Sequence, residues 1–165
     1  MSGLITITLR LNGEDVTATV PARESLVDFL RERMGLTGAH VGCAHGVCGA
    51  CTVRVDGQSV RGCLTLAAQV DGAEVETVEG LSDTGAIADL QEAFHRHNAL
   101  QCGYCTPGML VTVAELLDQG GPVPTRAAIR EHISGNYCRC TGYQAVVDAV
   151  HEVATTRAAQ RGEPA

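Results

Sequence analysis

The sequence contains no tryptophan, two phenylalanines and three tyrosines, so aromatic residues make up only 3% of it. Cofactor contacts are therefore expected from backbone groups, cysteines and small side chains rather than from aromatic stacking. No apolar run approaches the ~20 residues of a membrane-spanning helix, and the opening MSGLITITLR has no basic stretch leading into an apolar one, the mark of an export signal. Positive charge is scarce as well. A formal net charge of −7 argues against nucleic acid as a partner. There is no nucleophile elbow, no H-E-x-x-H and no phosphate loop, so nothing here reads as a group that makes or breaks a substrate bond.

What is present is a hydrophobic fraction of 45%, enough for one medium or two small packed domains in 165 residues, together with 19 glycines and eight cysteines. Eight thiols without an export signal fit a reducing cytoplasm in which cysteines bind metal.

Four of the cysteines, at 43, 48, 51 and 63, fall in LTGAHVGCAHGVCGACTVRVDGQSVRGC, Leu36 to Cys63. The spacing C-x4-C-x2-C with a distant fourth Cys is that of a plant-type [2Fe-2S] loop. Two irons need four converging thiolates, and backbone amides must come close to the sulfurs to offset the cluster's negative charge; the loop glycines permit that approach. A zinc site would take Cys48 and Cys51 as one knuckle, but zinc pairs come as two short pairs and Cys43 would be left idle. A disulfide framework lacks its export signal. Cys43-Ala-His45 begins like a Rieske pair, yet no later C-x-x-H completes it, so His45 reads as a loop histidine bonding near the cluster.

Along the chain, Leu4 to Arg10 alternates with the period of a half-buried strand, Asn12-Gly13 marks a tight hairpin, and Val16, Ala18 and Val20 share one face of the return strand. Ser25 with Asp28 predicts a capping box, followed by Leu26, Phe29, Leu30 and Met34 on one helical face up to Gly35. Thr52 to Val55 and Ser59 to Val60 flank a second hairpin at Asp56-Gly57, and Glu74 to Val78 reads as a last strand. Strand, hairpin, strand, helix, cluster loop is the order of a β-grasp fold. From Gly80 the period becomes 3.6: helices are expected over Ala86 to His97, after Thr106-Pro107 with Met109, Leu110, Val113, Leu116 and Leu117 inward, over Arg126 to Ile133 after Thr125, and from a Thr141 and Gln144 capping box onward. Residues from Thr155 read as a frayed tail. The expected class is α+β: an N-terminal β-grasp, plant-type ferredoxin-like domain over 1–79, a four-helix bundle over 80–157 and a flexible tail over 158–165.

The other four cysteines, Cys102, Cys105, Cys138 and Cys140, lie at helix junctions of the bundle. Two helix N-termini then point at one thiolate set and can stabilise an anionic cluster. On spacing alone zinc is a real rival here. The first loop favours a second cluster, because a chain with one one-electron centre gains a function from another nearby.

The segments GCAHGVCGACTV, VRGCL, LQCGYCTPGM and GNYCRCTGYQ resemble the small iron–sulfur subunit of the molybdenum hydroxylases, the xanthine oxidase family, most closely the bacterial three-subunit enzymes of the carbon monoxide dehydrogenase and N-heterocycle hydroxylase type. The resemblance covers residues 4 to 155. It implies one [2Fe-2S] cluster on Cys43, Cys48, Cys51 and Cys63 and another on Cys102, Cys105, Cys138 and Cys140. It further implies that Gln101 and Cys140 reach the pterin of a molybdopterin cofactor, in its cytosine dinucleotide form, held by a large molybdenum subunit. A medium subunit would carry FAD, and the assembly would be a dimer of heterotrimers. The function implied is single-electron relay from molybdenum to flavin during oxidation of an N-heterocycle, an aldehyde or carbon monoxide. AHGV between the first two cysteines is more like the heterocycle and aldehyde oxidisers. The 32 residues between Cys105 and Cys138 exceed by one what close relatives lead one to expect, with DQGGPVP the natural place for the extra residue. The competing reading from the residues is a free-standing ferredoxin-like carrier or a metal-stabilised binding module. Tyr104 and Arg139 receive no role, and His95 and His97 read as helix-end surface residues.

Overall fold

A computed structural model of the chain describes residues 3–162. Two hairpins build most of its sheet. Strand β1 (Leu4–Leu11) pairs antiparallel with β2 (Glu14–Pro21), and β3 (Thr52–Val55) with β4 (Gln58–Arg61). Asn12 and Gly13 have φ of 50° and 86°, and Asp56 and Gly57 have 50° and 78°. Positive φ at both loop residues is the I′ turn whose twist suits two-residue hairpins. Strand β5 (Glu74–Glu76) joins them, parallel to β1 and antiparallel to β3, giving the order β2-β1-β5-β3-β4. Ile7, Leu9 and Leu11 of β1 turn inward as their alternation predicts, while Ile5 at the strand's outer end is 40% exposed.

The sheet closes over α1 (Leu26–Asp28), whose Ser25 cap accepts the Asp28 N–H. Leu26, Val27, Phe29 and Leu30 join the strand residues in one core. The helix does not continue as a regular α-helix: Phe29–Arg33 is a π-turn, closed by the Met34 N–H on the Phe29 carbonyl. That closure delivers the chain to the cysteine loop, where Arg31 holds the carbonyls of Thr37 and Ala39 at 2.7 and 2.9 Å.

The helical half comprises α2 (Val78–Asp83), α3 (Ala88–Arg96), α4 (Thr106–Asp118), α5 (Arg126–His132) and α6 (Gln144–Arg161), around a core that includes Phe94, Met109, Ile129 and Val150. The four helices expected here are joined by a fifth, α2, whose Leu81 enters the same core, and three expected boundaries are corrected. The last strand stops at Glu76, because Val78 already opens α2. Helix α6 starts at Gln144, after Tyr143 in the left-handed region at φ 69°, and not on a Thr141 cap. It also runs through Thr155 to Arg161, where a frayed tail was expected, because Arg157 ties it to α3 and the turn before it through Asp89 and the Ala86 carbonyl, with Ala158 buried. Residues 1, 2 and 163–165 of the expected N-terminal domain and tail lie outside the described residues.

Helix α4 is the joint between the halves. Seven successive residues, Gly108 to Ala114, are buried, because the helix packs on β3 and β4 as well as on α2 and α5. Polar groups stitch the same seam. Arg54, with its side chain only 7% exposed, pairs with Asp118 at 2.7 Å and Glu76 at 3.8 Å. Arg61 reaches the Gly135 carbonyl at 2.7 Å, and buried Asn136 donates to the Gly49 carbonyl at 3.2 Å while accepting from Thr112. Unpaired, such buried polar groups would each cost about 1–3 kcal/mol, so the seam holds one relative placement of the two halves.

Candidate metal centres

The loop carrying Cys43, Cys48 and Cys51 is held both from within and by the second half of the chain. The Gly38 N–H donates to Glu79 of α2 at 2.7 Å, and the His40 N–H donates to the Ala50 carbonyl at 3.0 Å. Gly49 has φ of 74°, and a Cβ there would stand 2.6 Å from the Gly135 carbonyl oxygen. The position therefore needs glycine twice over, for its conformation and for its closeness to the second half. Cys51 is buried, while Cys43, Cys48 and Cys63 are half-buried; none of the eight cysteines is in a disulfide. The Cys48 N–H points at the Cys43 sulfur at 3.4 Å, and Cys51 lies against Cys63. His45 turns its ring to the Cys43 carbonyl, the loop-histidine role expected of it.

In the bundle, Cys105 is the residue from which α4 starts, as its helix-junction position suggests. Cys138 and Cys140 sit in the turn ahead of α6 rather than on its first residues, so their hydrogen bonds come from that turn. The Thr141 N–H and hydroxyl donate to the Cys138 sulfur at 3.4 and 3.1 Å. Cys140 and Cys102 place their sulfurs 3.7 Å apart on the exposed edge, and Cys105 lies against Cys138. Gln101, also exposed, donates from Nε2 to the Cys140 carbonyl at 3.1 Å.

The pairing is a test of fit. Two thiolates on one tetrahedral metal at metal–sulfur lengths of ~2.3 Å stand about 3.8 Å apart, the separation found between Cys102 and Cys140. The other thiols also neighbour one another two by two, Cys43 with Cys48, Cys51 with Cys63 and Cys105 with Cys138, beside Cys102 with Cys140. No group of three or more His, Cys, Asp or Glu among the described residues is set to hold a single ion. Two pairs per site is the donor set of a two-iron cluster.

Electrostatics distinguish the thiols. Backbone N–H groups of His45 and Cys48 draw Cys43 down to about 6, whereas burial pushes Cys51 up to about 11 and Cys105 up to about 12. Burial also raises Cys138, but the Thr141 hydroxyl and the N–H groups of Thr141 and Cys140 outweigh it and leave the thiol below its ordinary value. Cys140 is raised, first by its contact with Cys102. At neutral pH the buried pair members would hold their protons until a metal displaces them, so loading releases protons.

The two sites adjoin. A cavity of about 160 Å³ has Gly42, Cys48 and Ala50 on one wall and Cys102, Cys105 and Cys138 on the other. Across it the Tyr137 N–H donates to the Cys48 carbonyl at 2.8 Å. The Tyr104 ring stacks on His40 with centroids 4.5 Å apart, its hydroxyl donates to the Val41 carbonyl at 2.9 Å, and the His40 ring bonds the Tyr104 carbonyl at 2.8 Å. Tyr104 and Tyr137 escape a reading of the sequence because each is an exposed aromatic inside a cysteine turn; only their position between the thiols hints at use.

Comparison with known proteins agrees with this geometry. Residues 9–82 match the 2Fe-2S iron-sulfur cluster binding domain and residues 77–151 the [2Fe-2S] binding domain, overlapping at α2. The chain is 56% identical over 149 residues to the nicotine 6-hydroxylase small subunit of Paenarthrobacter nicotinovorans, covering 90% of this chain and 89% of the relative. It is 47% identical over 159 residues to the caffeine dehydrogenase subunit gamma of Pseudomonas sp. strain CBB1, covering 95% of each. In three dimensions it superposes on a chain of quinoline 2-oxidoreductase from Pseudomonas putida 86 with a TM-score of 0.89 and 49% identity, over 99% of this chain and 100% of that one. Two cluster-binding domains in this order, thiols paired two by two and near full-length likeness to such subunits lead to one conclusion: the chain belongs to the small [2Fe-2S] iron–sulfur subunits of the bacterial molybdenum hydroxylases, of the xanthine oxidase family, and serves as part of an oxidoreductase rather than as a catalyst by itself.

Proposed function

We propose that the chain carries electrons one at a time between a molybdenum subunit and an FAD subunit of an N-heterocycle-oxidising complex. The observation that carries this reading is the Tyr137 N–H bond to the Cys48 carbonyl. Cys48 belongs to the first thiol set and Tyr137 precedes Cys138 of the second, so a path of covalent bonds and one hydrogen bond joins the sites. Electron tunnelling decays less steeply along such a path than across empty space. Cys43, Cys48, Cys51 and Cys63 would hold one [2Fe-2S] cluster within a β-grasp domain of residues 1–79. Cys102, Cys105, Cys138 and Cys140 would hold the other within the helical domain of residues 80–157. When bound, each cluster supplies a site for one electron.

The chain's own residues order that transfer. Gln101 and Cys140 are exposed on the edge of the bundle and tied together; they would be the residues that meet the pterin of a molybdopterin cofactor, in the cytosine dinucleotide form, held by the large subunit. Asn136, Arg61 and Arg54 keep the seam closed, and Tyr104 with His40 clasps one cysteine turn to the other, so the spacing of the sites stays constant. The cysteines of the β-grasp half then lie on the flavin side. Relatives whose names specify nicotine, caffeine and quinoline support an N-heterocycle as the substrate class; the assembly proposed is a dimer of heterotrimers in the cytoplasm. A free carrier would have no use for the Gln101 edge.

Purification of the complex from its host, followed by metal, sulfide and flavin analysis, tests the reading. Two larger partners, molybdenum, FAD and four irons with four labile sulfides per chain are expected. A chain that purifies alone with two irons and a tightly held zinc would overturn it.

A further inference from the structure

The Thr141 side chain has a role that neither the proposed relay nor its place in CRCTGY requires. Its hydroxyl donates to the Cys138 sulfur at 3.1 Å, and its oxygen accepts the Tyr143 N–H at 3.3 Å. The second bond fills a lone pair and leaves the hydroxyl proton directed at sulfur. Tyr143 is held for this by its left-handed backbone at φ 69°, and its own hydroxyl accepts the Cys138 N–H at 2.8 Å. The Thr141 N–H aims at the same sulfur from 3.4 Å. Among the described cysteines no other sulfur has a side-chain hydroxyl bonded to it.

We propose that Thr141 is a positioning residue that sets the reduction potential of the bundle cluster through its hydroxyl bond to Cys138. The inference rests on the reading that Cys138 is a cluster ligand. Reduction adds one negative charge to a cluster and spreads part of it onto the thiolate sulfurs. A donor aimed at sulfur stabilises the more negative, reduced form further, as charge-assisted hydrogen bonds do, so the hydroxyl raises the potential. The bundle cluster thereby becomes a better acceptor of an electron from the molybdenum side than it would be without the hydroxyl. The β-grasp cluster lies in another set of residues and serves as an internal reference.

The test is a redox titration of the whole complex, followed by electron paramagnetic resonance, for the parent, Thr141→Val, Thr141→Ala and Thr141→Ser. Removing the hydroxyl is expected to lower the ratio of reduced to oxidised bundle cluster, taken against that of the β-grasp cluster at the same potential, about tenfold, ~59 mV for one electron. Thr141→Ser should restore most of the parent ratio. An unchanged ratio in Thr141→Val or Thr141→Ala, with both clusters present, would overturn the inference while leaving the relay standing. Zinc or no metal at the bundle site of the parent would overturn the relay itself. If neither hydroxyl-free variant retains its cluster, resonance Raman spectra of the parent and Thr141→Ser decide. Transfer to D2O should shift the bundle cluster's Fe–S bands in both proteins, and absence of any shift would refute the hydrogen bond.

Discussion

Replacing Gly108 by alanine probes the seam on which the fixed spacing of the two thiol sets depends. Gly108 lies in the first turn of α4, and a Cβ there would stand 2.3 Å from the Gly49 carbonyl oxygen and 3.3 Å from that of Ala50. The nearest atom is backbone, so relief requires helix and loop to part by roughly 1 Å. Overpacking of this kind costs about 1–3 kcal/mol, and the better helix propensity of alanine returns at most about 1 kcal/mol. Contact wins, for a net loss of up to about 2 kcal/mol, which at this chain length lowers the melting temperature by up to roughly 4–8 °C. Gly49 and Ala50 lie between Cys48 and Cys51, so displacement of their carbonyls should also speed iron loss from the β-grasp half. The assay is thermal unfolding of the complex by visible circular dichroism, with iron release to a chelator measured in parallel. Gly85→Ala is the control: φ there is 76° but nothing lies within 4 Å, so it should cost about 1 kcal/mol from backbone strain and release no iron. A Gly108→Ala complex as stable as the parent, with the same iron release, would refute the close-packed seam.

Three further outcomes are expected. Tyr104→Ala removes the stack on His40 and the hydroxyl bond to Val41, and should raise the rate of cluster loss to chelator in both halves, read from the two spectra separately. In the metal-free chain Cys43, drawn down to about 6, should be alkylated at pH 7 well ahead of Cys51 and Cys105, as peptide mass spectrometry will register. Asp89 is held below its ordinary value first by its hydrogen bond to Arg157, so the pair's stabilisation is full above the unfolded value of 3.8 and fades as pH falls through the folded one. Arg157→Gln should therefore cost about 1 kcal/mol at neutral pH, the upper end for ion pairs that water still reaches, and progressively less below pH 4 in acid-unfolding curves.

The strands and hairpins were legible because their signals are local. Period two and the Asn12-Gly13 and Asp56-Gly57 pairs act within a few residues. The cysteine spacings marked both sites for the same reason. Helix α4 was harder: packing against the sheet as well as the bundle buries Val111, Thr112 and Ala114 beside the expected Met109, Leu110 and Val113, and no 3.6 period survives burial on both sides. Thr141 looked like a helix cap because Thr-x-x-Gln has that form, yet its hydroxyl is taken by Cys138 and the Gln144 side chain by Arg130 and Asp148. The extension of α6 depends on Arg157 reaching Asp89, 68 positions away, which local composition does not encode. Asn136, Tyr137 and Tyr104 are likewise defined only by what the fold brings opposite them.

The order of the two centres is tested most directly by rapid mixing of the complex with an N-heterocycle that it turns over, comparing the parent with Cys48→Ala and Cys105→Ala. With Cys48 replaced, the bundle site, whose thiols begin at Cys102, should still become reduced at the parent rate, while flavin reduction falls by orders of magnitude. With Cys105 replaced, neither the β-grasp site nor the flavin should gain electrons. A Cys48→Ala complex that assembles normally, lacks its β-grasp cluster and still reduces flavin at the parent rate would contradict the account.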